Sequence, residues 1–245
     1  MSNPSIDLGR PQFDPDQSCR PAALSDRFNF GCAGCGDCCR GRKDLILSGY
    51  DLWRICRRLS LPPAVVVQGY CRQSVGVESL LPVLRIRPLA QQGHNCPFLY
   101  QSRCSIHEAA PLACALYPLM QQIDTQTGAI TYYAQPTDCG VAATENTVGQ
   151  FLHAGGVLQR QNIDREWARG CTRLSGRVCA LAPTLHPAQL KMVQQKAFQH
   201  LYLSLDWQRP YLPQLQAALA QLDHYLDKVA ARAGQGSVPT QKESL

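Results

Sequence analysis

The sequence contains no apolar run that could cross a membrane. Its longest apolar stretches, such as Leu80 to Leu84, fall far short of the roughly 20 residues that a membrane span needs. The first residues, Met1 to Gln17, are polar and carry no basic segment, apolar core or small-residue cleavage site, so we expect no secretory signal. From these absences we predict a cytoplasmic protein without a membrane partner.

The chain also lacks the short motifs that mark most enzyme classes. It has no Gly-x-Gly-x-x-Gly loop, no Walker loop, no His-Glu-x-x-His zinc motif and no nucleophile elbow. The Cys-x3-Cys-x2-Cys loop of radical enzymes is absent as well. The sequence therefore assigns no reaction, and any catalysis would have to run through a bound metal.

Charged residues are few, at 17% of the chain, and the net charge is only +6. The Lys and Arg residues are spread along the sequence, which does not favour a nucleic-acid partner. One basic stripe has an arginine every four residues and comprises Arg165, Arg169 and Arg173. Because Gly170 and Gly176 weaken a helix here, a solvated face is the better hypothesis for this stripe.

Cysteine, by contrast, is abundant, with thirteen in 245 residues. In a reducing compartment such a density favours metal binding or redox chemistry over disulfides, and the odd total argues against full pairing. Five cysteines stand apart from any motif, and we interpret them as packing or incidental thiols: Cys19, Cys56, Cys71, Cys171 and Cys179.

The motif Cys32-x2-Cys35-x2-Cys38-Cys39 has the spacing of a metal-binding loop. Cys-x2-Cys closes a tight turn in which two thiolates converge on one ion, and intervening glycines allow its unusual backbone angles. The third repeat gives the Cys-x2-Cys-x2-Cys pattern that opens bacterial ferredoxin runs. Adjacent side chains should point apart. We therefore predict that Cys38 completes the first group, whereas Cys39 reaches toward other loops.

A second, wider group could supply further thiolates and consists of Cys96, Cys104, Cys114 and Cys139. The eight cysteines could form two four-ligand sites or one iron–sulfur cluster with spare ligands. His94 and His107 lie close enough in sequence to join a site, although outer positions are more common for such histidines. The positive charges of Arg40, Arg42 and Lys43 would favour thiolates, or would simply lie on a solvated turn.

These motifs resemble the YkgJ-type CxxCxxCC cysteine-cluster family, described as a zinc- or iron-chelating domain that includes the N-terminal part of flagellin lysine methylases. The resemblance covers roughly residues 28–143 and rests on the quadruple-cysteine motif, Cys-Pro-Phe-Leu, Cys-Ser-Ile-His-Glu and Cys-x2-Tyr-Pro. Most relatives carry arginines where this chain has Ala110 and Ala115. The resemblance implies eight metal ligands: Cys32, Cys35, Cys38, Cys39, Cys96, Cys104, Cys114 and Cys139. It implies no particular reaction.

The leading functional hypothesis is a metal-binding cysteine-cluster protein of unknown protein partner. Thiolate-rich sites suit both zinc and iron, and the Cys-x2-Cys-x2-Cys run with its surplus of thiols favours an iron–sulfur cluster over zinc. The first alternative is a cluster-dependent redox or group-transfer enzyme, as the methylase relatives suggest. The second alternative is a zinc module that binds nucleic acid.

We predict an α+β fold, with a small cysteine-rich, metal-tied domain of few strands and an α-helical C-terminal part. The predicted divisions are a loose leader (1–27), the cysteine-cluster domain (28–143), a helical region (144–233) and a flexible tail (234–245). Because bound metal contributes folding free energy, the loop-rich domain should depend on its ion.

Individual elements follow from local patterns. Ser48 and Asp51 have capping-box spacing, which predicts a helix over 49–59, and Pro62-Pro63 predicts a short helix to residue 67. A hairpin is expected over 121–133. Extended chain is predicted for 76–89, a helical turn for 106–112, and helices for 144–160, 187–205 and 211–232.

Overall fold

Small antiparallel sheets and short helices make up the first part of the chain. In this computed structural model the described residues are 19–41, 45–137, 139–141 and 145–235. The strands are β1 (Arg20–Ala22), β2 (Ile46–Leu47), β3 (Cys71–Val75), β4 (Pro82–Ile86), β5 (Leu99–Tyr100), β6 (Arg103–Cys104), β7 (Leu119–Ile123) and β8 (Ile130–Ala134). The helices are α1 (Gly49–Leu59), α2 (Pro63–Tyr70), α3 (Leu112–Leu116), α4 (Val148–Ala154), α5 (Val157–Leu181), α6 (Pro187–Phe198) and α7 (Tyr211–Gln235).

The strands form two three-stranded sheets and one short hairpin. One sheet has the order β1-β8-β7, the second has the order β2-β4-β3, and β5 pairs with β6. Every pairing between these strands is antiparallel. With α5, α6 and α7 forming a helical C-terminal part, the predicted α+β class is confirmed.

Local sequence signals account for several elements. The Ser48 side chain accepts the Asp51 N–H and Asp51 accepts the Ser48 N–H, so the predicted capping box begins α1 at the expected residue. The hairpin predicted over 121–133 is β7–β8, and α2 begins at Pro63 as predicted but runs three residues further, to Tyr70. Strand β3 was not predicted, because four of its five residues are exposed and show no alternation.

The helices α4 and α5 differ from the prediction. The expected helix over 144–160 is interrupted at Gly155 and Gly156, where Gly156 has a left-handed backbone (φ 69°) and caps the start of α5. Helix α5 then continues through Gly170 and Gly176, the two glycines that argued against it. Packing outweighs helix propensity here, because Gly170 is buried against Leu219 of α7.

The basic stripe lies on α5 and is engaged within the molecule. Arg165 donates to the carbonyl of Gly128 at 2.8 Å, and Arg169 donates to the carbonyl of Thr125. Arg173 forms an ion pair with Asp223 of α7 at 2.9 Å. The stripe therefore attaches α5 to the β7–β8 turn and to α7, and is more than the solvated face that was expected.

A continuous apolar core joins the cysteine loops to the C-terminal helices. Leu47, Leu52 and Ile55 are fully buried and belong to the same cluster as Leu174 and Leu215. The core thus contains residues from both sides of the predicted division at 143, which itself stays a prediction. Of the predicted leader and tail, residues 1–18 and 236–245 lie outside the described residues. No helix in the described ranges is both long and apolar enough to span a membrane.

The two helical glycines make a matched test of α5. An added Cβ at Gly176 meets nothing within 4 Å, so Gly176→Ala should raise the free energy of unfolding by about 0.5–1 kcal/mol through helix propensity. At Gly170 the added Cβ would lie 2.5 Å from Leu219 Cδ1, so Gly170→Ala should destabilise the fold by overpacking. Urea denaturation measures both values, and equal effects at the two positions would contradict this placement of α5 against α7.

Candidate metal centre

An antiparallel bridge brings the first cysteine loop beside the last predicted ligand. Gly31 and Val141 exchange two backbone hydrogen bonds of 3.0 Å, which places the loop that starts at Cys32 next to Cys139. The Sγ atoms of Cys35 and Cys139 are 3.7 Å apart. Two thiols that are 104 residues apart in sequence are thus neighbours in space.

A single turn of 3-10 helix, Asp37–Cys39, presents the vicinal cysteines. The Cys39 N–H donates to the carbonyl of Gly36 at 2.9 Å. Gly36 has φ 75°, and a Cβ there would lie 2.7 Å from the Ser102 carbonyl oxygen, so both the backbone angle and the close approach require glycine. Arg40 then fastens this turn to the β5–β6 hairpin through a 3.0 Å hydrogen bond to the Ser102 hydroxyl.

Three further segments complete the wall of the site. The Cys96 N–H donates to the carbonyl of Cys39 at 2.8 Å, which joins the second cysteine group directly to the first. Cys104 lies on β6 opposite Leu99, and Cys114 lies in the middle of α3. Each of these thiols comes from its own loop or short element, so tertiary contacts rather than local propensity position them.

The predicted cysteines surround one cavity of about 580 Å³. Seven of the eight line it: Cys32, Cys38, Cys39, Cys96, Cys104, Cys114 and Cys139. The eighth, Cys35, contacts Cys139. Cys39 and Cys96 are buried, Cys32 is exposed, and the other five are half-buried. The structure therefore brings together the complete set that the sequence singled out.

The spacing of the sulfurs is compatible with metal bound by thiolates. Two thiolates on one tetrahedral ion, with bonds of about 2.3 Å, lie roughly 3.8 Å apart. The Cys35–Cys139 pair at 3.7 Å and the Cys38–Cys39 pair at 4.0 Å match this separation. Within the described ranges, no group of three or more His, Cys, Asp or Glu side chains converges tightly enough to hold an ion as it stands. Seven of the thiols line a shared cavity instead of meeting at one point.

The expectation that Cys38 and Cys39 point apart is wrong. Both side chains line the same cavity, and their Sγ atoms are 4.0 Å apart. The reason is the 3-10 turn, in which successive side chains differ in direction by only about 120°, far from the opposite directions of a strand. Cys39 nevertheless contacts Cys96, as expected of a residue that reaches the second group.

The thiols influence one another's protonation. The contact with Cys38 lowers the pKa of the Cys39 thiol, but the contact with Cys96 and burial outweigh it and raise that pKa to about 11. The contact with Cys39 lowers the pKa of Cys96 despite its burial. Burial and the neighbouring Cys35 raise the pKa of Cys139 to about 11. Because metals bind thiolates, occupying this cluster requires the loss of several protons.

The remaining candidates fall into clear groups. His107 is exposed and lines the cavity, whereas exposed His94 is not among its lining residues. Arg40 is bound to Asp37 and Ser102, and Arg42 and Lys43 lie outside the described residues. No disulfide links any of the thirteen cysteines, all of which are described. Burial raises the pKa to about 12 for three cysteines of the apolar core, which agrees with packing roles: Cys56, Cys71 and Cys171.

The sequence analysis did not identify several of the residues other than cysteine that line the cavity. Arg54 of α1 lines the cavity and donates to the carbonyls of Ala110 (3.2 Å) and Glu108 (2.5 Å). Phe30 and Phe151 line the cavity from the two sides of the predicted division at 143. Phe30 lies two residues before Cys32, whereas no local signal could identify Arg54 or Phe151, since both are remote in sequence from the cysteines.

Comparison with protein families decides the affiliation of this region. Residues 31–140 match the family model CxxCxxCC, described as a putative zinc- or iron-chelating domain. Over these residues, the chain is similar to the CxxCxxCC family. The match confirms the resemblance and contains all eight predicted ligands, while α4 to α7 lie beyond the CxxCxxCC segment. No curated protein and no solved structure matches the chain.

Replacement of single cysteines tests the cluster. Because both sulfurs of the vicinal pair face the cavity, Cys38→Ser and Cys39→Ser should each lower the metal content per chain measured by elemental analysis. Cys56→Ser is the control, since Cys56 is fully buried in the apolar core away from the cavity and should leave the metal content unchanged. Full metal in both vicinal variants would mean that neither thiol is a required ligand.

Proposed function

We propose that the CxxCxxCC segment of this chain binds an iron–sulfur cluster through its grouped thiolates. The observation that carries the proposal is the cavity of about 580 Å³, whose wall contains seven of the eight predicted thiols. Thiolates suit both zinc and iron, so the donor set alone does not choose between the two metals.

The shape of the site supports a cluster over isolated zinc ions. Four thiolates on one zinc close tightly around the ion, whereas a cluster places its own iron and sulfide between the cysteine sulfurs. Seven thiols spread along the wall of one cavity fit the second arrangement better.

The decisive experiment is the analysis of protein purified without oxygen. We expect a coloured protein with iron and acid-labile sulfide in equal amounts, since a cluster contains both and a zinc site contains neither. The Cys39→Ser variant should lose the colour, while Cys56→Ser should keep it. A colourless wild-type protein with stoichiometric zinc would overturn the iron–sulfur proposal and leave a zinc-chelating domain in its place.

A cluster-dependent enzyme is the second candidate, and the size of the cavity favours it. The cavity falls within the range of about 300–1,000 Å³ typical of small-molecule sites. Beyond the thiols its wall is apolar, with Phe98, Ile106 and Phe151, and also includes the charged Arg54 and Glu108. A redox role requires that dithionite bleaches the visible absorption and that ferricyanide restores it. A centre that neither dithionite nor the stronger reductant titanium(III) citrate can reduce would exclude that role.

A further inference from the structure

A buried ion-pair network connects α5 to α1. Arg160 of α5 is only 2% exposed, and its Nη1 donates to Asp51 Oδ1 at 2.8 Å. Its Nε and Nη2 donate to Asp164, each at 2.9 Å. The guanidinium also lies 4.9 Å above the ring of Tyr50. Buried charges are costly unless they are fully paired, so this network is a specific feature that ordinary core packing does not require.

The Asp51 carboxylate also holds the chain segment that carries Cys114. Its Oδ1 accepts the N–H of Leu112, the first residue of α3, at 3.0 Å. The residue before that helix is Pro111, whose side chain makes no cap hydrogen bond. Helix α3 therefore receives its N-terminal cap from a carboxylate 61 residues away in sequence.

This cap matters because α3 cannot hold its own shape. The helix has five residues, far below the ~12 that give marginal stability to an isolated helix in water. Its attachment to α1 through Asp51, and through the Arg54 contacts to the preceding carbonyls, fixes where Cys114 meets the cavity. Asp51 in turn depends on Arg160 to balance its buried charge.

We propose that Asp51, held by Arg160, is a positioning residue for the Cys114 thiolate, so that metal binding and the packing of α5 against α1 are coupled. The inference rests on the proposed thiolate metal site. It assigns to α5 a role in holding one ligand of that site, Cys114. Groups that orient metal ligands typically contribute about 10- to 100-fold to metal affinity. Coupling is reciprocal, so the metal should also strengthen the attachment of α5.

The test uses Co²⁺ as the probe, because its thiolate complexes absorb light in proportion to the number of bound sulfurs. Asp51→Asn keeps the side-chain shape and removes the charge. We expect it to weaken Co²⁺ binding by about 10-fold and to lower the thiolate-to-cobalt absorption per ion. In a Cys114→Ser background the same change should have little further effect, since the ligand that Asp51 positions is already absent.

Two further variants make the result specific. Leu112→Pro removes the N–H that Asp51 accepts and leaves the Asp51–Arg160 pair in place, because proline is well tolerated at the first helical position. It should also weaken Co²⁺ binding. Asp223→Asn breaks the Arg173 and Arg177 pairs elsewhere on α5 and should leave Co²⁺ binding unchanged.

Three results would overturn the inference. The first is that Asp51→Asn binds Co²⁺ as tightly as the wild type does. The second is that Asp51→Asn weakens Co²⁺ binding by the same factor in the wild-type and Cys114→Ser backgrounds. If Asp51→Asn fails to fold, full Co²⁺ binding by Leu112→Pro is the third. A wild-type chain without thiolate–cobalt absorption would overturn this inference alone, because the proposed cluster is tested separately by the iron and acid-labile sulfide of the protein purified without oxygen.

Discussion

The thiols that line the cavity come from five separate parts of the chain, and hydrogen bonds between several of these parts hold them there. The Cys96–Cys39 backbone bond and the Gly31–Val141 bridge join loops that have almost no regular structure of their own. Because such loops have little regular structure to hold them in place, they gain most from a bound centre that contacts all of them at once. The turns and short hairpins around the cavity serve this one requirement, which is to bring thiols from separate loops to a single site.

The C-terminal helices contribute to the site although they lie outside the CxxCxxCC segment. Helix α5 places Arg160 against Asp51, and Asp51 holds the start of α3. The α4–α5 junction also supplies Gly155 and Gly156 to the cavity wall. The cysteine loops are therefore not a closed unit, because α4 and α5 provide part of their support.

Strong local signals in the sequence were sufficient to predict some elements and not others. The Ser48 capping box located the start of α1, and the dense cysteine motif located the site, since both depend on residues close together in the chain. Helix α5 was missed because Gly170 owes its place to Leu219, 49 residues away. The convergence of Cys38 and Cys39 was missed because it depends on a 3-10 turn that a vicinal pair does not reveal.

The central claim is that bound metal holds the cysteine loops together, and amide hydrogen exchange with and without metal tests it most directly. In the metal-loaded protein, residues 31–39, 96–104 and 112–116 should be protected. Removal of the metal by a chelator should increase exchange in these segments first, while the apolar core around Leu174 and Leu215 keeps its protection longer. Identical exchange in the loaded and chelated protein would contradict the account.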